Sequence, residues 1–540
     1  MSKNRVNNVM FLPVPVKGMD LRIPVSSMPP EYSPFMVNFL VQGGKLRKRN
    51  RHSFYGRGNT TESSVPIVIP SQTNVDIINI GENDTFSLSA GPTSTPAEVH
   101  PPFHDYIYFN GNLLVCGYGV VYILNESSLA YTSGLTFTGL ISTDRQPITH
   151  YRGRVYVGAS YNLYYGGVAA TSGAMTAFSV QSFLNSARIF GLGTFNYVAG
   201  STTEQMLVIV GAYGEVLVYA GSYPGGTDWY LVNKFDLGTG QLDTDCPFEL
   251  IETGEDLLIN PKFTPHLYSV RAMLSGRLGA AARLEPLKAL EPLWTEALVN
   301  TASQPGYVGT KSCAYWPQKN ALVIHVNLWN ILKHPYLDRY RNVLDGFEDT
   351  NSAFSFLIHI DLNTQVATLH TYPAIAGSTS DMVYGQLRAG LRGVVAPCLV
   401  TASAALKAAS VQLFADEFAS GTSNKDWDGA TASSSAFDAY CTFAPIPQSS
   451  DIESIQNAIL FSNIHSSHSL SYGVNQNFDH GPATFTAFSS QSSTVIPRSD
   501  VLPMVGSGRG LMVQLKEGGS YETVFESYGL RVIGEFGGLY

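Results

Sequence analysis

Charged side chains are scarce in this 540-residue sequence. Asp, Glu, Lys and Arg make up 14% of it, where ordinary soluble domains carry roughly 25%. The balance is acidic, with 42 Asp and Glu against 33 Lys and Arg and a formal net charge of −9. A surface of that sign does not grip nucleic acid over its whole extent, although it can surround a duplex that slides past without sticking. Cysteine is sparse too: Cys116, Cys246, Cys313, Cys398 and Cys441 stand far apart with no C-x-x-C pair. That spacing supports neither a disulfide scaffold nor a zinc site, and buried reduced thiols are expected. No apolar run reaches the roughly 18 residues of a membrane-spanning helix. The opening MSKNRVNNVMFLPVPVKGMD has no signal-peptide core. Synthesis in a cytoplasm is therefore expected, and the sequons at Asn59, Asn83 and Asn125 read as chance.

What the sequence does have is glycine (50), tyrosine (29) and phenylalanine (28), with Ser and Thr throughout. That composition belongs to β-rich chains with many turns. HYRGRVYVGASYNLYYGG (150–167) reads as two short strands around a Gly158-Ala159-Ser160 corner. YFNGNLLVCGYGVVYILN (108–125) falls into register with it, Gly111 matching Gly153 at a step of 42 residues. Further copies start at EQMLVIVGAYGEVLVYAG (204–221), ETGEDLLINPKFTPHLYSV (252–270) and SCAYWPQKNALVIHVN (312–327), the last continued by FSFLIHIDLNTQVATLHTYP (354–373). DMVYGQLRAGLRGVVAP (381–397) is a weaker sixth. A period on the order of 40–50 residues with several strands per unit marks a β-propeller. Strands apolar almost throughout, such as Leu207-Val208-Ile209-Val210, fit blades covered on both faces. A sandwich of unrelated hairpins is the alternative, and no WD or kelch signature is present.

Two stretches depart from the pattern. GAAARLEPLKALEPLWTEALVNTASQ (279–304) spaces Leu284, Leu287, Leu290, Leu293 and Leu298 as a helix does, with Pro286 and Pro292 splitting it into short pieces. NLWNILKHPYLDRYRNVLDGFEDT (327–350) reads as a partly helical excursion from a blade. From about Thr401 an Ala- and Ser-rich connecting segment precedes less regular strands. The expected fold is thus mainly β: a divergent propeller followed by a second, sandwich-like β-domain, with short helical insertions. The domains are drawn at 1–57 (an extended segment joining the propeller or a platform), 58–400 (the propeller) and 401–540 (linker and C-terminal β-domain).

Motifs for chemistry are weak. NKDWDG (424–429) starts like a calcium loop, but Ser435 stands where a bidentate Glu is needed. His465 and His468, three apart on a strand or loop, do not share a face. GSGRG (506–510) lacks the Lys-Ser/Thr of a phosphate loop and reads as a hairpin turn. Asp243, Asp245, Glu249, Glu252, Glu255 and Asp256 form an acidic cluster, either a solvated rim or a source of paired carboxylates for glycoside hydrolysis. The sharper feature is basic: Lys45, Arg47, Lys48, Arg49, Arg51 and Arg57 fall within thirteen residues. They suit phosphate contacts, an acidic face of a neighbouring subunit, or a solvated loop.

GMDLRIPVSSMPPEYSPFMVNFLVQGGKLRKRNRHSFYG (18–56) resembles the opening of tail nozzle proteins of short-tailed phages, also called tail tubular protein B or packaged-DNA stabilisation proteins. VGSGRGLMVQLKEGGSYETVFESYGLRVIGEFGGL (505–539) is similar to their close, a Gly-rich turn leading into strands and a final Gly pair. The resemblance implies a virion protein, six copies around a channel, docked on the tail adaptor ring and touching tail fibres or spikes. It implies a channel that retains double-stranded DNA and then conducts it without sequence specificity. It implies no catalytic residue, no cofactor and no metal. A glycan-binding propeller or glycoside hydrolase is the alternative, against which five Trp count mildly; a generic propeller scaffold is the third.

Overall fold

The computed structural model describes residues 7–49, 53–57, 64–70, 75–81, 86–89, 105–117, 119–125, 131–138, 146–185, 188–199, 201–238, 249–261, 266–293, 311–328, 354–371, 387–389, 394–402, 405–414, 426–427, 434–435, 439–445, 452–463, 470–475, 486–487, 497–508, 512–518 and 526–536. Within them the chain is mainly β. It is built of small antiparallel sheets that succeed one another along the sequence, each sheet below being named by its first and last residues.

The 148–179 sheet holds the repeat unit. Ile148–Tyr151, Arg154–Ala159, Asn162–Tyr165 and Thr176–Ser179 run up and down as neighbours. Its first turn, Arg152-Gly153, has both φ angles positive (45° and 72°), and Asn110-Gly111 repeats it at 51° and 72° in the 105–136 sheet. Turns with that backbone twist match the twist of the strands they join, so the Gly111 to Gly153 step marks structurally equivalent corners. The 105–136 sheet has the strands Asp105–Phe109, Asn112–Gly117, Val120–Leu124 and Tyr131–Thr136, with the short Gly173–Ala174 added in parallel beside the last. The 189–236 sheet has Ile189–Ala199, Thr202–Gly211, Glu215–Ala220 and Tyr230–Asp236. Glu249–Glu252, Leu257–Asn260 and Tyr268–Ser269 follow as the 249–269 sheet.

These four sheets stack face to face as propeller blades, and side-chain alternation shows how. In the strand Thr202–Gly211, Leu207 and Ile209 pack towards the 148–179 sheet with Tyr151, Tyr156 and Leu163. Val208 and Val210 point the other way, against Leu257 and Ile259. All four are fully buried. A strand between two blades buries both faces, so the two-residue period survives as a choice of neighbour rather than as apolar against polar. Each such side chain contributes roughly 1.5–3 kcal/mol by leaving water. The 105–136 and 148–179 sheets meet likewise through Leu114, Cys116, Val155 and Val157.

The first strands of successive sheets touch in order: Asp105–Phe109, Ile148–Tyr151, Ile189–Ala199, Glu249–Glu252, then Lys311–Trp316, Arg388–Ala389 and Ser64–Pro70. The 311–371 sheet continues the stack, with Leu322, Ile324 and Ile358 against Ile251 and Leu258. Between those two sheets lies the helical piece Glu285–Lys288, a proline in its first turn, while the preceding piece Gly279–Ala282 packs Ala282 on the opposite side, with Leu257 and Ile259. Leu287, Leu290 and Leu293 fill the gap, as the leucine spacing requires. Residues 294–304 and 329–350 of the two expected helical stretches lie outside the described residues.

The 388–413 sheet departs from the sequence reading. Val394–Ala402 and Ala405–Leu413 pair with each other, and Ser53–Arg57 adds a strand from the other end of the chain. The Ala- and Ser-rich composition suggested a connector from Thr401. A strand hydrogen-bonded along both edges, however, gains its stability from the ladders and tolerates small side chains.

The second β unit consists of one further sheet and an extension of the 311–371 sheet, which has nine strands in all, and both take strands from each chain end. In one, Glu526–Phe536 pairs with Asn7–Pro13, with Ile452–Asn463 and with Lys45–Lys48, the last strand forming a hairpin with Phe39–Gln42. Pro497–Gly508 closes this sheet on the side of Ile452–Asn463. The glycines read as a turn at 506–508 are its last residues, and Pro497 and Pro503 sit where an edge strand accepts them. In the other, Ala439–Thr442 lies between Phe35–Val37 and Met512–Glu517, and Phe35–Val37 joins Val366–Thr371 of the propeller in parallel.

Candidate functional site

The basic run folds as a hairpin rather than a loop. Gly43 and Gly44 form its turn with φ of 56° and 74°, and Leu40 pairs with Arg47 and Gln42 with Lys45. Alternation then puts Phe39, Val41, Leu46 and Lys48 on the inner face and Leu40, Gln42, Lys45 and Arg47 on a half-buried outer one. Lys48 is 2% exposed and its Nζ sits 2.6 Å from Oε2 of Glu517, itself fully buried. Arg49 is also fully buried. Its Nε donates to Oδ1 of Asn38 at 2.9 Å, and its backbone N–H donates to the Asn38 carbonyl at 2.9 Å. A phosphate or a partner subunit cannot reach these two cations. Arg47 donates from Nη1 to Oε1 of Gln42 at 3.2 Å. Arg57 ends the strand Ser53–Arg57, and Arg51 lies outside the described residues. The signal that placed Lys48 inside was legible: 39, 41, 46 and 48 share one face of a Gly-Gly hairpin.

The acidic cluster also divides. Glu255 is exposed and accepts from Nη1 of Arg271 at 3.2 Å. Asp256 accepts from the Leu257 and Arg271 backbone N–H groups at 2.8 and 2.9 Å and from the Ser269 hydroxyl, so it holds the entry of the helix Val270–Leu274. Burial pushes its carboxyl above the usual range, and those hydrogen bonds pull against the rise. Asp243 and Asp245 lie outside the described residues, and Glu249 opens a first strand.

Glu252 remains. It ends the first strand of the 249–269 sheet and accepts from the backbone N–H and hydroxyl of Thr194 at 2.7 and 3.1 Å. Thr194, His150 and Asp105 all stand on first strands of preceding sheets. Solvent still reaches Glu252, but the surrounding blades strip enough water to push its carboxyl up. The Thr194 bonds and the His150 charge oppose that shift, and the Asp105 charge adds to it. Where first strands converge, the fold therefore places Asp105, His150, Thr194 and Glu252 on neighbouring strands, Thr194 buried and His150 and Glu252 exposed. Sequence reading marked Glu252 only as one of six carboxylates, because only blade stacking brings the other three beside it.

The remaining motifs are structural or lie elsewhere. Asp426–Trp427 pairs with Ser434–Ser435 as a short hairpin, while His465 and His468 lie outside the described residues. Cys116, Cys313 and Cys441 are buried free thiols, and burial pushes Cys441 up to about 12. No group of metal-binding side chains occurs among the described residues, and no described helix is long and apolar enough to cross a membrane.

No family model and no curated protein matches the chain. Solved structures similar to it include the Neurospora crassa Pan2 WD40 domain, at 9% identity over 68% of this chain and 97% of that one, with a TM-score of 0.38. The N-terminal domain of Nup159 is similar at 9% identity over 68% and 96%, TM-score 0.36. An exo-β-1,3-galactanase from Phanerochaete chrysosporium is similar at 10% over 81% and 97%, TM-score 0.29.

Proposed function

We propose that this protein is a structural subunit of the tail nozzle of a short-tailed phage. Copies of it, six by the family resemblance, surround a channel that retains packaged double-stranded DNA and conducts it at ejection. The ring docks on the tail adaptor and contacts fibres or spikes. One observation carries the reading. The two stretches that resemble the family, 18–56 and 505–539, lie at opposite ends of the sequence yet share the strands of one β unit beside the propeller. A resemblance split between the ends thus corresponds to one physical module. The acidic balance of the chain suits a conduit past which a polyanion slides. Mass photometry of the purified chain, alone and with the adaptor ring, tests the assignment. A closed six-copy ring on the adaptor is expected, and a chain that stays monomeric beside the adaptor would contradict it.

A glycan-cleaving propeller is the second reading, favoured by Glu252, whose raised carboxyl stands near Asp105 where the first strands converge. On that reading Glu252→Gln abolishes turnover of a β-linked glycan; on the nozzle reading there is no turnover to lose.

A further inference from the structure

A small, partly open cleft lies where the N-terminal hairpin meets the propeller. Leu40, Gln42 and Arg47 line it from the hairpin, Trp316, Lys319 and His359 from the 311–371 sheet, and Phe414 from the residue after Ala405–Leu413. Two of its side chains are cationic and none is a carboxylate. Two of its polar atoms, moreover, are buried and lack any hydrogen-bond partner: Nε of Arg47 and Nε1 of Trp316. Trp316 is only 3% exposed. A buried N–H left unmatched costs about 1–3 kcal/mol, so a fold that leaves two in one cleft has room there for an acceptor. Both are donors, as are the ammonium of Lys319 and the amide of Gln42, whose Oε1 already accepts from Arg47. Lys319 Nζ stands 5.8 Å from the Trp316 ring centre, which holds the second cation over the same wall. His359 adds no charge, because burial pushes it down to about 4.

We propose that this cleft binds a small oxyanion, a phosphate or a carboxylate group. Arg47 and Lys319 supply the charge, and the Arg47 Nε–H and Trp316 Nε1–H supply directed hydrogen bonds. An Arg47 Nε–H and a Trp316 indole N–H that lack acceptors suit a ligand bearing several acceptor oxygens. Leu40 and Phe414 wall the site, and in less water the charge-assisted bonds strengthen. The site joins the N-terminal hairpin to the propeller, so an occupied cleft also ties the two units together. The proposal is independent of the nozzle reading.

The test uses the full chain in HEPES. Sodium phosphate is titrated in one arm and sodium citrate in another, with ionic strength held constant by chloride. Melting midpoint and calorimetric binding are read in both. A saturable rise in midpoint is expected in at least one arm, and which arm responds identifies phosphate or carboxylate as the ligand group. Arg47→Gln and Lys319→Gln each weaken binding about tenfold, the scale of one charge-assisted hydrogen bond. Lys319 is exposed, so Lys319→Gln leaves the fold intact and decides the matter even if Arg47→Gln does not fold. The proposal is overturned if neither anion acts beyond the chloride control, or if Lys319→Gln binds as tightly as the parent.

Discussion

Lys48 and Glu517 stand 469 residues apart and meet inside the protein. Removing one partner of such a pair strands the other charge away from water, whereas removing both need not destabilise at all. Lys48→Met is therefore expected to cost about 3–5 kcal/mol, and Lys48→Met combined with Glu517→Leu to recover most of that. Urea unfolding of the three proteins checks it, and equal losses in the single and double variants would refute the pair. Two buried histidines set a second expectation. Burial pushes His325 down to about 3 and His359 to about 4 in the folded chain. Unfolded, each takes a proton near pH 6.5. Below that pH the unfolded chain binds protons that the folded chain refuses, so stability falls on acidification from about pH 6.5 towards 4. Each histidine steepens this limb by up to about 1.4 kcal/mol per pH unit. A melting-point profile of His325→Phe should be shallower between pH 6 and 4 than that of the parent; an unchanged slope would contradict the assignment.

Among the elements, the blades were the most legible in the sequence. Matching glycine corners 42 residues apart in the first two copies, and strands such as 207–210 with no polar face, announced sheets covered on both sides. What remained hidden was pairing between distant segments. Nothing local to Ser53–Arg57 indicates that it joins Ala405–Leu413, and the GSGRG glycines expected as a hairpin turn instead carry an edge strand to Gly508. Blade spacing also depends on residues with no side chain. A Cβ on Gly158 would stand 2.7 Å from Cγ2 of Ile189 in the next sheet, and one on Gly193 would stand 2.8 Å from Cδ1 of Leu257. Gly158→Val must therefore push the 148–179 and 189–236 sheets apart, at about 1–3 kcal/mol for overpacking. Gly153→Ala tests a different cost, because that turn position has a φ of 72° and only distant neighbours. Thermal unfolding should show both losses, with increased exchange of the Ile189–Ala199 amides in Gly158→Val alone.

At the scale of the molecule, the basic run shows why the candidate site was only half legible. Its charge was visible in the sequence, and so was the face that carries Lys48, but the distant partners of that charge were not. Lys48 neutralises Glu517 across the seam between chain ends and Arg49 braces Asn38 within the N-terminal segment, while Arg47 turns to a cleft whose other wall lies some 270 residues away, about the separation of Arg47 and Trp316. Likewise Glu252 gained its neighbours only through blade stacking. Composition and period disclose what kind of surface a chain buries, and tertiary pairing decides which charges are left over for partners. The account depends on sheets radiating from a common axis, with the two chain ends joined in one unit beside them. A density map of the purified protein by electron microscopy tests this most directly. It should show consecutive sheets stacked face to face, their first strands innermost, and Asn7–Pro13 lying alongside Glu526–Phe536. A map in which those sheets lie edge to edge in one open surface, or in which the two terminal strands are apart, would contradict it.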